Sequence, residues 1–246
     1  MNAQYLSKGY FKVSQFLSDQ ELAQLLPIIE KFHLNWQQDN QSFYQSQAIN
    51  SAYLTAPKYL NDAHRLRLFQ FICSNKIANL LGQLPFSKAA FMNTQLFFDP
   101  VNSEQKNYWH RDPQYHLNLA QQQQALLGPE VVHFRIALRD EPGIELVPKS
   151  HKQWDSEQAL DVRLERNGKT KDQPLENGVE VSLNKGDLLV FSANMLHRGL
   201  YGNDRLAFDI LFCEALPELL EFSQQDCFPS PQQRAQLENP SLFVTF

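Results

Sequence analysis

Apolar residues change their spacing along this chain near Gly82. Ahead of it, a short strand at about Tyr10 to Val13 leads into segments that read as mainly helical. Ser18-Asp19-Gln20-Glu21 forms a capping box with Leu17 and Leu22 as its hydrophobic staple, so a helix is expected to start there. Pro27 falls inside the apolar pattern; it has no N–H to give and its ring crowds the preceding turn, which predicts a kink or an end. From Asn35 to Ser51 glutamine, asparagine and serine take over, the composition of a loop. A second helical region is expected from about Asp62 to Leu81, interrupted near Ser74 and closed by Gly82 just past the last turn.

Beyond Gly82 the apolar runs shorten and alternate, separated by turn residues. They predict strands at Ala89 to Phe98, Tyr108 to Asp112, Val131 to Leu138, Ile144 to Val147, Val179 to Leu183, Asp187 to Ser192, His197 to Leu200 and Arg205 to Cys213. Asn184-Lys185-Gly186-Asp187 is a clear turn. Short strands at irregular spacing suggest a barrel or sandwich rather than a βαβ sheet. No Pro/Gly/Ser-rich linker divides the chain, so one domain over 1–246 is expected: a helical N-terminal part of about 1–82, a β core of about 83–215 and a C-terminal tail at 216–246.

A hydrophobic fraction of 43% suffices for a sizeable core, and 18 phenylalanines make it aromatic-rich. The net charge of −5 offers no basic footprint for phosphates, which argues against a nucleic-acid partner. The start of the chain lacks a basic region followed by an apolar one, and no apolar run approaches spanning length; a cytoplasmic protein with no membrane association is expected. Cys73, Cys213 and Cys227 are odd in number and widely spaced, which fits buried thiols better than a disulfide frame.

His110 and Asp112 stand two residues apart, and on a strand such residues point to one side. With His197, which follows a strongly apolar strand, they make up the two-imidazole, one-carboxylate set of non-heme Fe(II) oxygenases. Of the other histidines, His33 and His64 read as surface or packing residues, His116 follows Pro113 where regular structure is doubtful, His133 alternates with Arg135 on the polar face of its strand, and His151 reads as a structural hydrogen-bonding residue. If the co-substrate is 2-oxoglutarate, its second carboxylate needs a basic partner. Arg205, opening the last strand, is the first choice for that clamp, with an ion pair to Asp209 as the rival use of its charge and Arg135 as a second candidate. Arg198 is expected to face away from the metal. The segment Arg163 to Lys171 could meet an anionic substrate such as an acyl-CoA, although a solvated loop is favoured.

These residues resemble the phytanoyl-CoA dioxygenase (PhyH-like) family of Fe(II)/2-oxoglutarate oxygenases. The likeness lies in Gly9 to Val13 and Phe16 to Leu22, in Trp109-His110-Arg111-Asp112, in Gly143 to His151, and in Lys185-Gly186-Asp187 leading to His197 and Arg205. It implies a mainly β fold with a helical N-terminal third, a double-stranded β-helix (jelly-roll) core flanked by α-helices. It also implies Fe(II) held by His110, Asp112 and His197, and 2-oxoglutarate anchored by Arg205. The chain departs from the family pattern at Lys149, where Pro-Gly-Ser-His is usual, at Gly199, where serine is frequent, and in a shorter spacing from His197 to Arg205. Gln95, Arg135 and Asn203 are the candidates to supply the remaining co-substrate contacts. The function implied is hydroxylation of a small molecule with O₂, since related halogenating enzymes lack the carboxylate that Asp112 provides. Two alternatives stay open: a non-catalytic jelly-roll binding protein, and a cupin-like metalloenzyme that does not use 2-oxoglutarate. The oligomeric state is open, with a monomer slightly favoured.

Overall fold

The computed structural model describes residues 1–244; Thr245 and Phe246, the end of the expected C-terminal tail, lie outside the described residues. In chain order the elements are α1 (Ala3–Lys8), β1 (Tyr10–Val13), α2 (Asp19–Asp39), α3 (Gln41–Ser46), β2 (Asn50–Ala52), α4 (Asp62–Ile72), α5 (Asn75–Leu81) and β3 (Ala89–Phe98). They continue with α6 (Leu119–Ala125), β4 (Val131–Ala137), β5 (Glu141–Leu146), α7 (Glu157–Arg163), β6 (Val179–Leu183), β7 (Leu188–Ser192), β8 (His197–Gly199), β9 (Leu206–Glu214), α8 (Pro217–Leu220) and α9 (Pro231–Arg234). The strands form two antiparallel sheets, one in the order β1-β7-β4-β9-β3-β2 and one in the order β6-β5-β8.

The central strands of the larger sheet sort their side chains by face. Val132, Phe134 and Ile136 of β4, Phe208, Ile210 and Phe212 of β9, and Leu188 and Val190 of β7 pack outward against Ile29 and Phe32 of α2 and Leu68 and Phe69 of α4. The alternate residues face inward, where Leu189 and Phe191 meet Ile144, Leu146 and Leu183 of the smaller sheet. Polar inward positions on these strands, His133, Arg135 and Asp209, are buried as well. A strand covered on both faces reads as a continuous apolar run, which is the character of Leu188 to Phe191.

Several expectations need correction. The capping box at Ser18 forms, with Glu21 Oε2 accepting from the Ser18 N–H at 2.8 Å, but α2 does not stop at Pro27 and runs to Asp39. Leu22, Leu25, Ile28, Ile29, Phe32 and Trp36 of this helix are all buried. At roughly 1.5–3 kcal/mol per large apolar side chain, six of them outweigh the roughly 3 kcal/mol that an interior proline costs. The same packing draws the polar stretch after Asn35 into the end of α2 and into α3, so most of it is not a loop. Gly82 does close α5, but in right-handed backbone at φ −63°, its N–H donating to the Ala78 carbonyl. Tyr108 to Asp112 is not a strand: only His110 makes a bridge, and Pro113 then opens a 3₁₀ turn at Asp112–Tyr115. Conversely Lys149, where the resemblance expects glycine, has φ +71°, the left-handed region that glycine adopts most readily.

Candidate metal centre

His110 and His197 face each other across a two-residue antiparallel bridge, each backbone N–H donating to the other's carbonyl at 2.9 Å. Opposed residues of such a pair project to the same side. Nδ1 of His110 lies 3.1 Å from the Tyr108 carbonyl and Nδ1 of His197 lies 3.0 Å from that of Met195. A carbonyl only accepts, so each Nδ1 carries the hydrogen and each Nε2 presents its lone pair. Arg111, extended at φ −118° and ψ 137°, turns Asp112 back to the same side as His110. Asp112 Oδ1 is 3.6 Å from Nε2 of His110 and 3.7 Å from Nε2 of His197, too far for hydrogen bonds. One ligand atom from each of the three lies within 4.8 Å of the others.

The second carboxylate oxygen is already engaged. His133 Nε2 donates to Asp112 Oδ2 at 2.6 Å, and its Nδ1 donates to Asp209 Oδ2 at 3.0 Å. Burial disfavours a charge on His133, but Asp209 and Asp112 more than offset it and raise the imidazole to about 10. Burial also works against ionised Asp112, yet the His133 charge and hydrogen bond hold its carboxyl well below the usual range. Burial, with His110 nearby, pushes His197 down to about 3, and burial lowers His110 too. At neutral pH the cluster therefore presents two neutral imidazoles and one carboxylate.

These groups floor a cavity of about 740 Å³ walled by both sheets. Deeper along it the Arg205 guanidinium is buried, with Nε and Nη2 lacking any hydrogen-bond partner among the described residues. Asp209 is not its partner: Oδ2 of that carboxylate holds His133, Oδ1 makes no hydrogen bond among the described residues, and the carboxylate that Arg205 meets is Glu141. Glu141 lies 3.5 Å from Arg205 Nε and 3.4 Å from Arg135 Nε, so one carboxylate sits against two guanidiniums. Burial and the adjacent Arg135 lower Arg205 from its ordinary value, against the pull of Glu141. A Cβ at Gly199 would meet Arg205 Nη1 at 2.8 Å, so the glycine is what makes room for the guanidinium. Gln95 and Arg135 line the same cavity, whereas Asn203 is exposed on the preceding turn and does not, which removes it from the candidates. Arg198 turns away to Glu145 at 2.6 Å.

Sequence reasoning missed the anchor behind the His-x-Asp segment. Arg111, between the two ligand candidates, points to their opposite side and donates to Asp155 from Nε at 3.0 Å and from Nη2 at 2.7 Å. Arg163 grips the other oxygen of Asp155 at 2.6 Å and also reaches Gln122 at 2.8 Å. Arg163 thus ends α7 as a buried residue and is no part of a solvated basic loop. Strand alternation around His110 was the signal for Arg111; nothing local marked Asp155. His151 is also corrected: it is buried, and neither ring nitrogen has a hydrogen-bond partner among the described residues. The three cysteines are free and buried, with burial pushing each thiol up to about 12.

Two antiparallel sheets packed around a cavity that holds a His/Asp/His cluster and a buried arginine have the fold of a non-heme oxygenase-type protein. The chain belongs to the Phytanoyl-CoA dioxygenase (PhyH) family, whose model matches residues 5–201. Among solved structures it is similar to AviO1 from Streptomyces viridochromogenes Tue57, at 18% identity over 86% of this chain and 92% of that one, with a TM-score of 0.59. It is similar to HygX from Streptomyces hygroscopicus with nickel and 2-oxoglutarate bound, at 12% identity over 86% and 85% of the chains and a TM-score of 0.61. A third is SnoN, a non-heme alpha ketoglutarate dependent epimerase from nogalamycin biosynthesis, at 18% identity over 87% and 81% and a TM-score of 0.54. At these identities the likeness establishes the fold. Comparison with curated proteins gives no match. No helix among the described residues is long and apolar enough to cross a membrane.

Proposed function

We propose that this chain is an Fe(II)/2-oxoglutarate-dependent dioxygenase that hydroxylates a small molecule, built as one domain around a double-stranded β-helix. The observation that carries the reading is the convergence of two neutral Nε2 atoms and Asp112 Oδ1 in a cavity that also holds a buried guanidinium, two of whose nitrogens make no hydrogen bond among the described residues. His110, Asp112 and His197 fit Fe(II) by donor type, since they supply the two-histidine, one-carboxylate set on one side of an ion and leave the other side open. Arg205 fits the distal carboxylate of 2-oxoglutarate: a buried guanidinium requires an anion, and Glu141 is shared with Arg135. Two guanidiniums against one carboxylate leave a net positive charge for that group to neutralise. Gln95 and Arg135 border the same space.

When bound, Fe(II) and 2-oxoglutarate would activate O₂ as the oxidant for C–H bonds, one oxygen atom going to the substrate and the other to succinate as 2-oxoglutarate loses CO₂. This chain's own contribution is to hold both groups in register and to keep water away, with Phe191 and Ile144 among the apolar lining. The carboxylate of Asp112 supports hydroxylation, because halide transfer needs its place vacated.

Anaerobic addition of Fe(II) and 2-oxoglutarate is expected to produce a visible metal-to-ligand charge-transfer band, absent from His197→Ala. In Arg205→Ala the band should need at least tenfold more 2-oxoglutarate. Absence of the band in the unmodified protein at saturating ligand overturns the proposal; unchanged co-substrate demand in Arg205→Ala overturns the clamp alone.

A further inference from the structure

Asp112 is the one proposed ligand whose orientation depends on another side chain. Both histidine ligands are fixed by backbone carbonyls two residues away, and those bonds come with the local chain path. Asp112 has no such tie: its backbone N–H goes to Ala193 at 3.2 Å, and its side chain hangs from a short 3₁₀ turn. What restrains its carboxylate is His133, on the neighbouring strand β4. His133 is itself locked on three sides. Its Nδ1 donates to Asp209 of β9, its ring lies 4.5 Å from and 7° off parallel to Phe191 of β7, and the residue is 3% exposed. Three strands of the larger sheet thus converge on one oxygen of one ligand.

We propose that His133 is a positioning residue which, with Asp209 behind it, holds Asp112 in a one-oxygen binding mode. Occupying Oδ2 leaves only Oδ1 facing the two Nε2 atoms. A carboxylate free to rotate would offer both oxygens and close a coordination position that co-substrate or O₂ needs. This rests on the metal centre proposed above and deepens it. Partners of this kind behind a metal ligand typically change metal affinity by about 10–100-fold when lost.

Two substitutions of similar bulk separate the two bonds of His133. A glutamine amide places its nitrogen near the position of Nε2, so His133→Gln keeps the donor to Asp112 and gives up Asp209. An asparagine amide places its nitrogen near Nδ1, so His133→Asn keeps Asp209 and gives up Asp112. The experiment is titration of the metal-free protein with Co(II), reading affinity and the visible Co(II) spectrum, with circular dichroism as the folding control. His133→Gln should bind within about threefold of the unmodified protein with the same spectrum. His133→Asn should lose roughly 10–100-fold and show an altered spectrum. Equal affinities and spectra for both variants overturn the positioning role, as does a greater loss in His133→Gln. Failure of the unmodified protein to bind Co(II) overturns the metal centre itself, and this assignment with it.

Discussion

At Gly199 a methyl group would press on the clamp: a Cβ would lie 2.8 Å from Nη1 and 3.0 Å from Nη2 of Arg205, so the guanidinium must shift. The guanidinium is the far end of a flexible side chain and lines the cavity, so it can relieve the contact only by shifting into the space proposed for 2-oxoglutarate. Gly199→Ala is therefore expected to shift Arg205 and weaken 2-oxoglutarate binding at least tenfold, with Co(II) affinity unchanged because His197 is untouched. Parallel titrations of metal and co-substrate check this; an unaltered co-substrate affinity would show that Arg205 has slack the structure does not display. The ligand candidates His110, Asp112 and His197 were legible because residue type and spacing carry donor chemistry directly. The placing of Arg205 was legible too, but its partner was not. Asp209 lies four residues away and looked available, but its Oδ2 holds His133 from another strand and Arg205 meets Glu141 instead.

Among the elements, α2 shows how packing overrides a local signal. Pro27 removes one backbone donor from the helix interior and sits exposed, while the residues around it bury the helix face. Pro27→Ala restores the N–H to the Ala23 carbonyl without disturbing that face, and is expected to stabilise the protein by about 1–3 kcal/mol. A thermal melt should show the midpoint rising by several degrees. A fall would mean that the proline shapes a bend the core depends on. The strands behave differently. β3 matches its predicted bounds, Ala89–Phe98, because alternation and flanking turns agree there. The segment before Pro113 also predicts a strand yet forms only a bridge, since the N–H groups of Trp109 and Asp112 go to Lys171 and Ala193 and not along one ladder.

The whole molecule titrates through groups it has buried. Burial, reinforced by Lys152, pushes His151 down to about 4, and burial with Arg139 nearby pushes His33 to about 4. Both rings stay neutral in the folded protein while the unfolded chain takes up protons below about pH 6.5. The unfolded state binds more protons between those values, so stability is intact above pH 6.5 and is lost as pH falls toward 4. For His151 the loss should be about 2 kcal/mol. Melts of the metal-free protein from pH 7 to 4.5 should show this decline, and it should be shallower in His151→Phe. An equal slope in the variant would place the acid sensitivity elsewhere.

The sequence by itself determined which residues have the chemistry: a His-x-Asp pair, a distant histidine, an arginine beyond it, and alternating runs able to form a closed β core. These are properties of side-chain type and period, which need no partner to be read. Only the tertiary structure decided the pairings: His110 opposite His197, His133 between Asp112 and Asp209, Asp155 between Arg111 and Arg163, and Glu141 between two arginines. A charge or lone pair buried by folding must be satisfied by whatever the fold brings near. That choice is made across strands far apart in the chain, where spacing along the sequence carries no information about distance.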